Sequence, residues 1–120
     1  MDILKKVCEM HDQFGISGQK FSDSEKRFRL SCLLEEVDEY RQATNKADEL
    51  DAMVDLIIFA LGTIDRQGMA SKFYEAFDLV MEANCKKQVG GNRKRGDFQL
   101  DLFKPEGWAA PDLTTLVGDK

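Results

Sequence analysis

The sequence predicts an all-α fold, a four-helix bundle over about residues 1–87 followed by an extended C-terminal tail over about 88–120. Three observations carry that expectation. Apolar residues recur at helical spacing in four successive stretches. Capping residues or glycine separate those stretches. From Val89 onward, Gly90, Gly91, Gly96, Pro105, Gly107 and Pro111 break every periodicity. At 120 residues the chain is sized for a single domain.

In the first stretch, Met1 to Gln13, the residues Ile3, Leu4, Val7, Cys8 and Met10 follow the pattern of an amphipathic helix. Phe14 to Phe21 holds Gly15, Ser17 and Gly18 and reads as a loop. Ser22 or Asp23 can cap the second helix, which carries Glu25 in its first turn and should reach about Thr44. Leu30, Leu33, Leu34 and Val37 fall together on its wheel and are the expected core stripe. Asn45 interrupts the pattern, and a third helix spans roughly Lys46 to Gln67 before stopping at Gly68. Apolar residues cover nearly its whole circumference, so it should be central and buried. A fourth helix covers about Ala70 to Lys87, with Phe73, Phe77, Val80 and Met81 on related faces. In the tail, Phe98, Leu100, Leu102, Phe103 and Trp108 supply apolar surface for docking on the helices.

Composition narrows the function classes. A net charge of −5 and a pI near 4.9 argue against a general nucleic-acid binder, whose affinity rests on Lys and Arg contacts to phosphate. Lys86, Lys87, Arg93, Lys94 and Arg95 nevertheless form a local basic patch able to meet an anion. Cys8, Cys32 and Cys85 form no CxxC and are odd in number, which fits a reducing, cytoplasmic setting. The longest apolar run, Leu56 to Leu61, is far shorter than the roughly 20 residues of a membrane span, so no membrane partner is expected. A small helical domain gains from packing on a copy of itself, and a homodimer or homotetramer is expected.

Two acidic clusters carry the chemistry. Glu36 and Glu39 are i, i+3 neighbours, so their like charges converge unless a cation lies between them. Phe28, Cys32, Tyr40 and Ala43 share their arc and suit burial. Asp48, Asp51 and Asp55 occupy one strip of the third helix, where an unpaired carboxylate is costly. Hard oxygen donors in this pattern suit Mg²⁺, with Mn²⁺ able to substitute. The competing expectation is a set of salt bridges to Arg27, Arg29 or Arg41, in a helical interaction module without catalysis. His11 is the sole histidine, which excludes HExxH sites and paired ExxH motifs, and it reads as a helix-surface residue.

The order EExxE, a gap, an acidic pair before LIIFALG, then EANCKK and KPEGWAAPDL resembles the all-α nucleoside triphosphate pyrophosphohydrolases, the MazG-like and phosphoribosyl-ATP pyrophosphohydrolase-like group. The resemblance implies cleavage of a nucleoside triphosphate between its α- and β-phosphates in nucleotide-pool control, including a phage-type dGTP-biased version. Phosphoribosyl-ATP is the alternative substrate. It further implies Glu36, Glu39, Asp51 and Asp55 as metal ligands and Glu35 as the partner of the nucleophilic water. Glu35, Glu36, Glu39 and Asp55 thus form the implied catalytic set. Asn84 and Lys87 match the A-N-x-x-K element for substrate, with Lys94, Arg95 and Lys104 as further phosphate contacts. Trp108 or Phe14 is a candidate for stacking on a base. Many members of the group carry ExxD in the third helix; here the first of those positions is Ala52, and Asp51 is the substitute on the same face.

Overall fold

A computed structural model describes residues 1–118, in which Asp2, Ser22 and Asn45 start three helices in one way. Each side chain accepts a hydrogen bond from the amide three residues on: Lys5 at 3.0 Å, Glu25 at 3.1 Å and Asp48 at 2.9 Å. Each bond satisfies one of the amides that a helix start leaves without a partner. The helices are α1 (Ile3–Gln13), α2 (Asp23–Gln42) and α3 (Lys46–Arg66). Beyond α3 the chain turns at Gly68, whose φ of 77° is open to glycine at no steric cost. A 3₁₀ turn over Ala70–Lys72 leads into α4 (Phe73–Asn84). The fourth helix is shorter than expected because the amides of Lys86 and Lys87 reach back only to Ala83 and Asn84, the tightened bonding of a helix end.

The chain divides into two compact units, Met1–Ala70 and Ser71–Lys120. In the first, α2 and α3 pack along their length as an antiparallel hairpin closed by Ala43–Asn45, and α1 packs on α3. The hairpin runs in a regular register. Glu25 bonds Arg66, Arg29 abuts Gly62, Glu36 meets Asp55, and Glu39 lies beside Ala52. Gly62 allows a close approach here: a Cβ would stand 3.1 Å from the Arg29 guanidinium and 3.3 Å from the His11 ring, so those side chains would have to give by a few tenths of an ångström.

Three expectations are corrected in this unit. The stripe that packs on α3 is Arg29, Cys32 and Glu36, whereas Leu30, Leu34 and Val37 are half or more exposed. Two apolar stripes run along α2; on the packed one Arg29 is ion-paired to Glu25, whereas Glu36 Oε2 is buried without a hydrogen-bond partner. Leu50, Val54 and Ile57 are likewise exposed, so α3 is buried only along the strip that includes Ala52, Leu61, Gly62 and Arg66. His11 is buried at 3 % exposure, not on the surface, and its Nδ1 lies 2.6 Å from Asp65. Asp65 also hydrogen-bonds Cys8, and burial together with that carboxylate pushes the thiol up to about 11.

The second unit combines α4 with a short antiparallel hairpin, β1 (Gln88–Val89) and β2 (Leu102–Phe103), in which Gln88 pairs with Phe103 and Val89 with Leu102. A 3₁₀ turn over Arg93–Arg95 lies between the strands, and Arg95 forks onto the Asp101 carboxylate. Trp108 Nε1 donates to the Ala83 carbonyl at 2.7 Å, tying the tail to α4. A last turn of helix, α5, covers Thr114–Val117. With two residues in each strand, the described fold is all-α.

Candidate functional site

Where the C-terminal half of α2 meets the N-terminal half of α3, Glu36, Glu39 and Asp55 each bring a carboxyl oxygen within 4.8 Å of the other two. Glu36 is buried, Asp55 half-buried and Glu39 exposed, so the cluster opens from the interhelical seam toward solvent. Glu36 Oε2 is buried with no hydrogen-bond partner. A buried oxygen of this kind is costly unless something outside the chain satisfies it. Burial pushes the Glu36 carboxyl up to about 7, followed by its closeness to Glu39 and the negative charges of Asp55 and Glu35.

The donor chemistry fits a hard divalent cation. Three carboxylates within reach of one point, one of them carrying an orphaned oxygen, offer oxygen ligands and negative charge together. The competing partners are engaged elsewhere. Arg29 bonds Glu25, Arg41 bonds Asp38, and Arg27 donates to Ser24. Among the described residues no arginine pairs with the acidic cluster, so salt bridging does not account for it.

Asp51 stands apart from the tight three-residue set. It lines an adjoining open cavity of about 300 Å³ with Glu39, Gln42, Ala43, Asp48 and Ala52. Ala52 is buried at 2 % exposure, so the place where an ExxD motif puts its first acid holds a methyl group at the cavity wall. Glu35 is exposed on α2 next to Glu36, close enough for its charge to act on that carboxyl.

The remaining candidates belong to the second unit. Asn84 is the last residue of α4 and half-buried, Lys94 lies in the 3₁₀ turn, and Arg95 is engaged with Asp101. Lys87 and Lys104 both approach the Trp108 ring, each with its ammonium 5.1 Å from the centroid. Phe14 is two-thirds exposed in the loop after α1. The buried pair His11–Asp65 and the Glu25–Arg66 bond escaped the sequence reading, because neither pair falls at a spacing within one helix.

The family model of phosphoribosyl-ATP pyrophosphohydrolase matches residues 7–84. The chain therefore belongs to the phosphoribosyl-ATP pyrophosphohydrolase family, a branch of the MazG-like all-α nucleoside triphosphate pyrophosphohydrolase superfamily. The matched span runs from α1 to the last residue of α4 and contains the whole acidic cluster. Membership supports a hydrolase of the pyrophosphohydrolase class. No curated protein matches the chain. Among the described residues no helix is long and apolar enough to cross a membrane.

Proposed function

We propose that the protein hydrolyses ribo- or deoxyribonucleoside triphosphates between the α- and β-phosphates, releasing the monophosphate and pyrophosphate in control of the nucleotide pool. The observation that carries the proposal is the Glu36 carboxyl, buried in the seam with an unpartnered oxygen and two further carboxylates beside it. Glu36, Glu39 and Asp55 would hold Mg²⁺ or Mn²⁺, with Asp51 reaching in from the adjoining cavity. When bound, the cation supplies charge neutralisation at phosphate oxygens and makes water more acidic. Glu35 accepts the proton of the attacking water, one P–O bond forms from that water, and the α–β anhydride bond breaks to free pyrophosphate.

Phosphoribosyl-ATP is the second reading, and the family match favours it. Both substrates present the same anhydride, so one acidic site serves either. The match ends at Asn84, and the tail carrying KPEGWAAPDL supports the nucleotide-pool reading. The exposed apolar stripe of Leu30, Leu34 and Val37 supports assembly as a homodimer or homotetramer.

A panel of dNTPs including dGTP, of NTPs and of phosphoribosyl-ATP, assayed with Mg²⁺ or with chelator, tests the proposal. Pyrophosphate should appear only with metal and should vanish in Glu36→Gln. Release of orthophosphate, or turnover that survives chelation, would overturn it.

A further inference from the structure

On α2, Arg29, Cys32 and Glu36 face α3, and a second stripe runs along the opposite side of the helix at Asp23, Arg27, Leu30, Leu34, Val37 and Arg41. All six are exposed, the three apolar ones by half or more. The steps between them are four and three residues in strict alternation, the 3.5-residue repeat by which one helix packs along another. A helix face that only met water would need no such seam.

The order of charges along the stripe decides what can cover it. A parallel copy would set Asp23 on Asp23, Arg27 on Arg27 and Arg41 on Arg41, like charge on like at three of the six levels. An antiparallel copy that sets Leu30 on the partner's Leu34 brings Asp23 opposite the partner's Arg41, and Arg27 beside the partner's Val37 and the partner's Asp38. Twofold symmetry makes each of these contacts twice. Asp23 forms no ion pair among the described residues, and Arg41 is held only by the exposed Asp38 on its own helix.

The flank of the stripe agrees. Lys26, Leu33 and Tyr40 recur every seven residues along one side of it, and in a twofold antiparallel pair that side meets itself. Lys26 and Leu33 line an open, mostly apolar hollow of about 300 Å³ between α2 and the end of α3, where Thr63 and Gln67 complete the wall. The exposed Tyr40 is the side chain that this register brings to the second copy's hollow.

We propose that the outer face of α2 is the docking surface for α2 of a second copy, antiparallel and in the register Leu30 on Leu34, with an Asp23–Arg41 ion pair closing each end. The pairing deepens the homo-oligomer proposed above and rests on it; it draws nothing from the chemistry of the acidic cluster.

Charge exchange tests the register. Asp23→Arg and Arg41→Asp are each measured by sedimentation equilibrium, alone and as an equimolar mixture, with circular dichroism to confirm the helices. Either variant alone sets like charges at both ends of the pair and should raise the dissociation constant of this contact about tenfold. In the mixture every end again holds opposite charges, so association should return nearly to that of the parent. Both changes also oppose the dipole of α2, a loss that mixing cannot restore, so the rescue reads the contact alone. A mixture no better than the single variants overturns the register. Assembly unchanged in both single variants overturns the α2 face and leaves the homo-oligomer reading standing, whereas a parent that is monomeric at every concentration overturns both. Pyrophosphate release by the parent is scored separately, so none of these outcomes is mistaken for failure of the hydrolase reading.

Discussion

Glu25 accepts two hydrogen bonds of 2.7 Å from Arg66, one on each carboxyl oxygen, and so fastens the start of α2 to the end of α3. Arg29 adds a third bond of 3.0 Å to the same carboxylate, and Arg66 also donates to the Ile16 carbonyl at 3.1 Å. The opposite end of the hairpin is the reverse in charge. There three carboxylates converge, and among the described residues no arginine or lysine forms an ion pair with them. One end of the seam is self-sufficient in charge, and the other is built to be completed from outside.

Arg66 is buried while Glu25 keeps a fifth of its side-chain surface exposed, so removing the guanidinium strands a mostly sheltered carboxylate. Arg66→Met should lower stability by about 2–3 kcal/mol, below the loss for a fully buried pair. The Arg66 and Arg29 bonds hold the Glu25 carboxyl well below the usual range, at about 2. Its stabilising contribution is thus full above an unfolded value near 4.5 and is lost as pH falls toward 2. Urea denaturation of both proteins at neutral pH and near pH 3 measures both effects.

Glu36 behaves in the opposite sense. Its folded-state value, raised to about 7 from an ordinary 4.5, means that the native protein binds more protons than the unfolded chain between those limits. Metal-free stability contributed by this site therefore falls as pH rises from about 4.5 through 7. The thermal midpoint in chelator should drop from pH 5.5 to pH 8, and Mg²⁺ should restore it most at the higher pH. An equal pH slope in Glu36→Gln would show that another group is responsible.

Glu36→Gln and Asp55→Asn should each lower kcat by at least about a hundredfold while the fold is kept, since each removes a charged donor from the three-carboxylate set. Without metal, both variants should melt no lower than the parent, because like-charge repulsion is relieved. Circular dichroism and pyrophosphate release, measured on the same preparations, separate the two effects. Near-full activity in either variant would remove that residue from the site.

Ala52→Glu tests the gap in the acidic pattern. Residue 52 is beside Glu39 at a cavity wall that also carries Asp48 and Asp51. A carboxylate added there should tighten Mn²⁺ binding by about tenfold and lower metal-free stability, since it adds negative charge to an acidic seam. Calorimetric titration with Mn²⁺ reads the first and thermal melting in chelator the second. Unchanged affinity would mean that the site needs no donor from this position.

The helix starts were legible because Ser22 and Asn45 are local signals whose bonds span three residues. Glu36, Glu39 and Asp55 were legible for a similar reason: their types and spacing suit one chemistry, and the seam brings them together. Which stripe of α2 faces α3 was not. Leu30, Leu34 and Val37 look like core on a helical wheel, yet the packed stripe carries Arg29 and Glu36, and the choice depends on Glu25, Arg66 and Gly62 elsewhere in the chain. His11 was misread because its partner Asp65 belongs to another helix. The lysine pair at Trp108 was hidden likewise, since α4, β2 and the loop after it must first be brought together.

The turn Ala43–Asn45 is short and solvent-facing, the sort of segment that ordinarily tolerates insertion. Inside α3 the same change acts differently. One residue added between Asp55 and Gly62 would turn Asp55 by about 100° and shift it by about 1.5 Å relative to Gly62 and Arg66. Glu25 could then keep Arg66 only with Asp55 turned away from Glu36. The helical spacing from Asp55 to Arg66 is therefore part of the site, although Arg66 is no member of the three-carboxylate set.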